Sequence, residues 1–440
     1  NDFASNSLLK FLEEPNDNIY AFLIIYTPNF FNNAYINYAL PFLYWFMGFF
    51  LVKEQNKNAT DYKKSMLSIL TLGALSTILF AFRALIAGVS FGDIRNLRII
   101  QSISVIVSVF SFYYIERFLD SKGLKAQDKM RFILNVCMIQ FVIVIVMVAF
   151  PSFRMKMLEI FYLDGRKDLS FTISRRVYGI MSNYTFAGSV FHGMMAFFAL
   201  YFGINNDNRF FLYIPCMLLI VFLNGRIGLI VFLISTIIYL FSNLLIRRRI
   251  EKTVKVTVFL AIAAVLSFTI LPIIWPSTFS FFKNGFLDVI NYLKTGVAAT
   301  DRISDVDLLS SQFKSDFNIK TLLLGAGHRI QNGGDVPIGI SFNGLYSDIG
   351  FLNDMYMGGL VYMFLLYAPY VRFIKIKQRN SKIVSTIMLM ILFVSNMKGE
   401  AFRSSIILGM FIYVKSLLDN KAGENNDGKS VGSNGDIQYE

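Results

Sequence analysis

The stretch "RRVYGIMSNYTFAG" sets Arg176 just ahead of Gly179 and Asn183, at the start of an apolar run. "NGRIGL" sets Arg226 and Gly228 at the start of another. "DRISD" carries Arg302, "GAGHRIQNGGD" carries His328 and Arg329, and Lys398 and Arg403 lie between two further apolar runs. A guanidinium presents a planar fork of donors that matches phosphate oxygens. A helix start adds free N–H groups and the positive end of the helix dipole. The chemistry open to these residues is therefore to hold a phosphate or anionic headgroup and to stabilise negative charge growing on a leaving group. A hydroxyl nucleophile would also need a proton acceptor. Asp348 qualifies by its place where a glycine-rich loop meets the next apolar run, and His328 by its intrinsic pKa. Plainer roles stand beside these. A single Arg can snorkel or form a structural ion pair, His328 can brace its loop, and Asp348 can cap a helix.

The elements that must position these residues are greasy. The chain has 440 residues, of which 55% are hydrophobic and 16% charged, and its mean hydropathy is +0.52. No soluble domain of this size needs so much apolar surface, so the expected fold class is an all-α polytopic membrane protein. The 46 Phe and 22 Tyr suit aromatic anchoring at bilayer interfaces. Apolar runs of spanning character cover 34–52, 66–88, 99–114, 132–150, 184–202, 210–223, 227–246, 254–275, 351–373, 384–396 and 404–418. That makes about eleven transmembrane helices, within 10–12, several of them short enough to borrow flanking residues. Cys137 and Cys216 fall inside apolar runs, so no disulfide framework is expected.

Loop charge orients the spans. "KEQNKNATDYKK", "ERFLDSKGLKAQDKMR", "RRRIEKTVK" and "RFIKIKQRNSK" are basic, and eleven spans set all four on the cytoplasmic side. The net charge of +13 is mostly this bias, together with attraction to anionic lipid. The opposite face then receives a smaller loop, 151–177, and a large one, 276–350, of roughly 75 residues and long enough to need structure of its own. The smaller loop holds Arg154, Lys156, Arg166, Lys167, Arg175 and Arg176, which the positive-inside rule does not explain. The organisation expected is an N-terminal segment 1–33, read as an interfacial helix ended by Pro15; helices one to eight over 34–275; the large loop; helices nine to eleven over 351–419; and a disordered cytoplasmic tail, 420–440. The segment "SNSLLKFLEEPNDNIYAFLI" resembles a stretch of bacterial DNA polymerase III clamp-loader subunits over about twenty residues, without their phosphate-binding loop, and is read as a chance match, a misassigned start or a fusion junction.

Taken in order, the arginine and glycine motifs resemble those of Wzy-type O-antigen and capsule polymerases and the related O-antigen ligases. That family runs R-x-x-G-x-x-x-N at a span start, S-R-x-G at a later one, a loop Arg, then L-L-G-x-G, and a D-x-G…G-G entry into the next span. This chain offers Arg176-Gly179-Asn183, Arg226-Gly228, Arg302, "LLLGAGHR" and "SDIGFLNDMYMGG" in the same order over about 175–365. The resemblance implies a bacterial inner-membrane glycosyltransferase with its site on the periplasmic face. Arg176, Arg226, Arg302, Arg329, Lys398, Arg403 and Asn183 would bind the diphosphate and glycan of an undecaprenyl diphosphate-linked donor, and Asp348 or His328 would act as base. Its implied partners are lipid-linked glycans, the bilayer, a chain-length regulator and a flippase, with no nucleic acid. No cofactor or metal is expected, since two Arg can replace a divalent ion and no Asp-x-Asp or Asp-Asp pair stands at a span end. Ligases carry a His followed by Asn, Ser or Gln close to the next span. His328 is followed by Arg329 and lies about two dozen residues before that span, which favours polymerase over ligase.

A transporter or flippase for an anionic solute or lipid would also line a cavity with Arg. It should show internal repeats, short loops and helix breaks near mid-bilayer, and the sequence holds no convincing repeat. Among the remaining motifs, His192 reads as a buried hydrogen-bonded histidine, Gly358-Gly359 as close helix packing, and Arg83 as reaching a headgroup or a partner carboxylate.

Overall fold

The structure, a computed structural model, describes residues 15–28, 60–88, 99–161, 177–181, 186–245, 253–258, 319–327, 350–374, 382–399 and 401–430, with isolated positions between. Every regular element among the described residues is helical. In chain order they are α1 (Pro15–Tyr26), α2 (Thr60–Ile86), α3 (Ile99–Ser121), α4 (Ala126–Ala149), α5 (Pro151–Phe161), α6 (Phe186–Asn205), α7 (Tyr213–Asn224), α8 (Arg226–Leu245), α9 (Ile319–Leu324), α10 (Gly350–Phe373), α11 (Lys382–Asn396) and α12 (Ser405–Ser430), with 3-10 turns at Asn208–Leu212 and Ala401–Arg403.

Among the described residues, four helical stretches are long and apolar enough to cross a membrane: Leu67–Ile86, Ala126–Ala149, Phe186–Asn205 and Arg226–Leu245. α7, α11 and the apolar part of α12 are shorter. α3 carries Glu116, Arg117 and Asp120 near its end, and α10 carries Asp354. Of the expected spans, 34–52 and most of 254–275 lie outside the described residues.

α6 is the axis of the bundle. Ala187 to Ile204 are all buried, as an all-round apolar helix must be. α7 and α8 pack along it. Gly193 and Gly228 allow α6 and α8 to touch backbone to backbone: a Cβ on either would lie under 3.0 Å from the facing carbonyl group. α2 presents Leu67, Ile78 and Phe82 outward, and α8 presents Ile237, Phe241 and Leu245. These uncovered apolar faces are compatible with a lipid bilayer.

Three segments differ from the sequence reading. The helix expected to end at Pro15 lies outside the described residues, but Pro15 itself opens a helix, a first-turn position where its missing N–H costs nothing. α1 is no surface helix, since Tyr20, Ala21, Ile24, Ile25 and Tyr26 are buried in the core. The expected loop 151–177 begins as α5, redirected from α4 at Phe150, whose φ -124 and ψ 87 leave the helical region, as the residue before a proline is pushed to do. The tail expected to be disordered from 420 continues as α12 to Ser430. Helix propagation adds one hydrogen bond per residue once the buried Ile406–Leu418 stretch has fixed the helix, so polar residues extend it cheaply.

Candidate functional site

One end of the bundle gathers the starts of α6, α8 and α10 and the finishes of α2, α4, α7 and α11. Its assembly rests on backbone contacts. The Val177 N–H donates to the Leu223 carbonyl at 3.0 Å. Gln140, buried in the apolar run of α4, donates from Nε2 to the Tyr178 carbonyl at 3.0 Å and accepts the Ile180 N–H at 3.2 Å. Gly179 lies between those two bonds with φ +68, and a Cβ there would run into the Gln140 amide. A lone Gln in a membrane helix must bury its amide, and here the 177–181 turn satisfies both of its ends.

The same turn leads to α8. Leu223 lies in the last turn of α7, Gly225 ends that helix in extended backbone, and Arg226 is the first residue of α8. The Ser189 hydroxyl donates to the Gly225 carbonyl and accepts the Gly228 N–H at 3.1 Å, which ties the start of α6 to the start of α8. The Arg226 guanidinium is thus carried on the first turn of a long helix, the position that favours anions. Arg176 lies outside the described residues. Val177, which follows it in sequence, is fixed beside the segment that delivers Arg226.

Two more elements close this end. Gly399 packs on the Phe186 ring at the start of α6, and Gly350 packs on Gly399 and Asn396 at the start of α10. Lys398 sits in that same turn, and Arg403 closes the 3-10 turn that follows. On the far side the "LLLGAG" segment docks against α10 and α2. Ala326 and Gly327 donate to the Tyr356 and Met357 carbonyls at 2.6 and 2.9 Å. These carbonyls are exposed because Gly359, with φ 70 and ψ -176, breaks the α10 helix. Arg83 donates from Nε to the Gly325 carbonyl at 2.9 Å. Beside the headgroup or carboxylate expected of it, Arg83 thus has a backbone carbonyl as a partner. Gly358-Gly359 does serve close packing, against the Leu323–Gly325 backbone.

The structure therefore brings Arg226, Lys398 and the Arg403 backbone to one end of the molecule. Asp348, His328, Arg176, Arg302, Arg329 and Asn183 lie outside the described residues. Arg154 joins this end on α5, where Phe153 and Met157 pack on Val144, Val177 and Leu223. Its Nε is buried without a hydrogen-bond partner, and among the described residues Arg83 and Arg154 form no salt bridge. His192 is the buried, hydrogen-bonded histidine expected, with Nδ1 2.7 Å from the Gly188 carbonyl and Nε2 3.0 Å from the Tyr26 hydroxyl.

Sequence reasoning passed over Gln140, Ser189 and Asp354. Gln140 is a lone polar residue in an apolar run, Ser189 sits three residues before His192, and Asp354 follows Asn353; polar residues set in apolar runs are themselves a signal of buried polar contacts. Arg154 was visible as one of a cluster, but its burial was not. Compared with known proteins, no family model matches this chain and no curated protein matches it.

Proposed function

We propose that the chain is an integral-membrane glycosyltransferase that polymerises undecaprenyl diphosphate-linked repeat units into O-antigen or capsular polysaccharide. In this reading about eleven spans cross the bacterial inner membrane. In the same reading the site is the Arg226 end, facing the periplasm. One observation carries the proposal: Val177, the residue after Arg176, donates its N–H to the carbonyl of Leu223, in the last helical turn before Arg226. In this reading Arg176 and Arg226, far apart in sequence, would both supply cations to the diphosphate, whose two charged groups call for more than one. Their order in the chain resembles that of the polymerase and ligase family, which supports the same reading.

The chemistry then runs as follows. An acceptor hydroxyl attacks the anomeric carbon of the donor glycan. The bond from that carbon to the diphosphate oxygen breaks, and the leaving diphosphate takes the electron pair. Arg176 and Arg226, with Arg302, Arg329, Lys398 and Arg403 around the glycan and lipid, stabilise the charge that develops on it. The hydroxyl proton passes to Asp348 or His328.

Glycan ladders from a strain lacking the gene test this. Attached single repeat units with no longer chains are expected. Loss of all attached chains would instead indicate a ligase, and an unchanged ladder would refute both. A second reading, a transporter or flippase for an anionic lipid, draws on the break at Gly359, since discontinuous membrane helices mark transport sites. It predicts movement of a lipid-linked glycan across vesicles without any growth in glycan length.

A further inference from the structure

Asp354 is fully buried in α10, next to the buried Asn353. A buried carboxylate is costly unless its oxygens are engaged by donors. Its Oδ2 accepts the Tyr367 hydroxyl proton. The same hydroxyl accepts from Asn396 Nδ2 at 2.8 Å, and Asn396 Oδ1 accepts the Ala401 N–H at 2.9 Å. That N–H also reaches the Gly399 carbonyl at 3.0 Å. The Tyr367 ring stacks on Phe402 with centroids 3.8 Å apart and planes 13° apart. Residues of two helices, α10 and α11, thus converge on one short segment, 397–404, which carries Lys398 and Arg403.

We infer that Asp354, Tyr367 and Asn396 form a positioning relay that fixes the backbone of this segment, and with it the place of Lys398 at the proposed anionic site. The inference rests on the proposed diphosphate site. Asp354 contributes because a carboxylate is the strongest acceptor for a buried hydroxyl, and it leaves Tyr367 with a lone pair directed at Asn396. Asn396 in turn is oriented by donating to Tyr367, which leaves its carbonyl oxygen for Ala401. Tyr367 is a positioning residue here, and it acts through Asn396.

The test uses the full chain in lipid nanodiscs with two readouts. Hydrogen exchange at the Ala401 amide reads the relay without any ligand. Retention of farnesyl diphosphate reads the site. Tyr367→Phe keeps the ring stack and deletes the hydroxyl, so exchange at Ala401 should rise roughly tenfold. Affinity for farnesyl diphosphate should fall roughly tenfold with it. Asp354→Asn retains an acceptor oxygen and should restore both values to near those of the wild type, whereas Asp354→Leu should match Tyr367→Phe. Unchanged exchange in Tyr367→Phe overturns the relay. Faster exchange with undiminished affinity overturns its role in the site. A wild-type chain that does not retain farnesyl diphosphate overturns the diphosphate reading itself, whatever the exchange shows.

Discussion

The two ends of the bundle solve the problem of charge near hydrocarbon in opposite ways. At the end where α1, α4 and α7 begin, cations are matched to carboxylates. Lys129 contacts Asp120 at 2.6 Å and Glu116 at 3.3 Å, Arg131 contacts Asp207 at 2.9 Å, and Lys122 contacts Asp17 at 2.5 Å. At the end where α6, α8 and α10 begin, Arg83 is spent on a backbone carbonyl and Arg154 has a buried Nε with no hydrogen-bond partner. The carboxylate described there, Asp354, is engaged by Tyr367. A protein that needs charge only for stability neutralises it internally, as the first end does. The other end holds its backbone in place with Gln140, Ser189 and close glycine contacts, and in the proposed reading its cations meet an anion from outside.

The largest expected effect breaks the paired end. Lys129→Met leaves Glu116, with only 1% of its side chain exposed, as an uncompensated buried acid. Unfolding in detergent should show a loss of about 3–5 kcal/mol, while activity per folded molecule stays the same. Adding Glu116→Gln should recover most of the loss. At the other end the signs reverse. Arg226→Ala should leave stability near that of the wild type and lower polymerisation by about 100- to 1000-fold. Arg226→Lys should also be impaired, since it keeps the charge and loses the fork. A stable Arg226→Ala chain that polymerises normally would erase the functional contrast between the ends.

Smaller effects sharpen it. Gly228→Ala forces a Cβ against the Ser189 backbone, so a loss of about 1–3 kcal/mol is expected, with lowered activity because the start of α8 must shift. Gly73→Ala is the control. It has open space around it in α2 and should gain about 0.5–1 kcal/mol from helix propensity. Lys122→Ala, which removes a partly exposed pair, should cost under about 1 kcal/mol, and less at high salt.

How much of this was legible in the sequence follows from the range of the forces involved. Helices such as α2, α4, α6 and α8 are written in long apolar runs, and Arg226 at a helix start could be read from "NGRIGL" because the turn is local. The pairing of the two outer turns could not be read. It depends on Gln140 reaching Tyr178 and on Ser189 reaching Gly228, contacts that span 38 and 39 residues. Arg83 and Gly325 lie 242 residues apart, and nothing near Arg83 distinguishes a carbonyl partner from a headgroup. Gly358-Gly359 announced close packing, but the partner, α9, lies in a loop whose own pattern does not point to α10. The continuation of α12 past residue 420 was hidden because its composition is that of a solvated tail, and a preceding buried helix can extend through such a tail.

The central claim is that the Arg226 end holds a lipid diphosphate while a glycan is transferred from it. The most direct measurement supplies purified chain in nanodiscs with a polyprenyl diphosphate-linked repeat unit, in excess chelator, and follows glycan length and free polyprenyl diphosphate together. The account predicts chains longer than one repeat, with one polyprenyl diphosphate released for each bond formed. Glycan that stays at a single repeat, with no diphosphate released by an intact and folded chain, would contradict it.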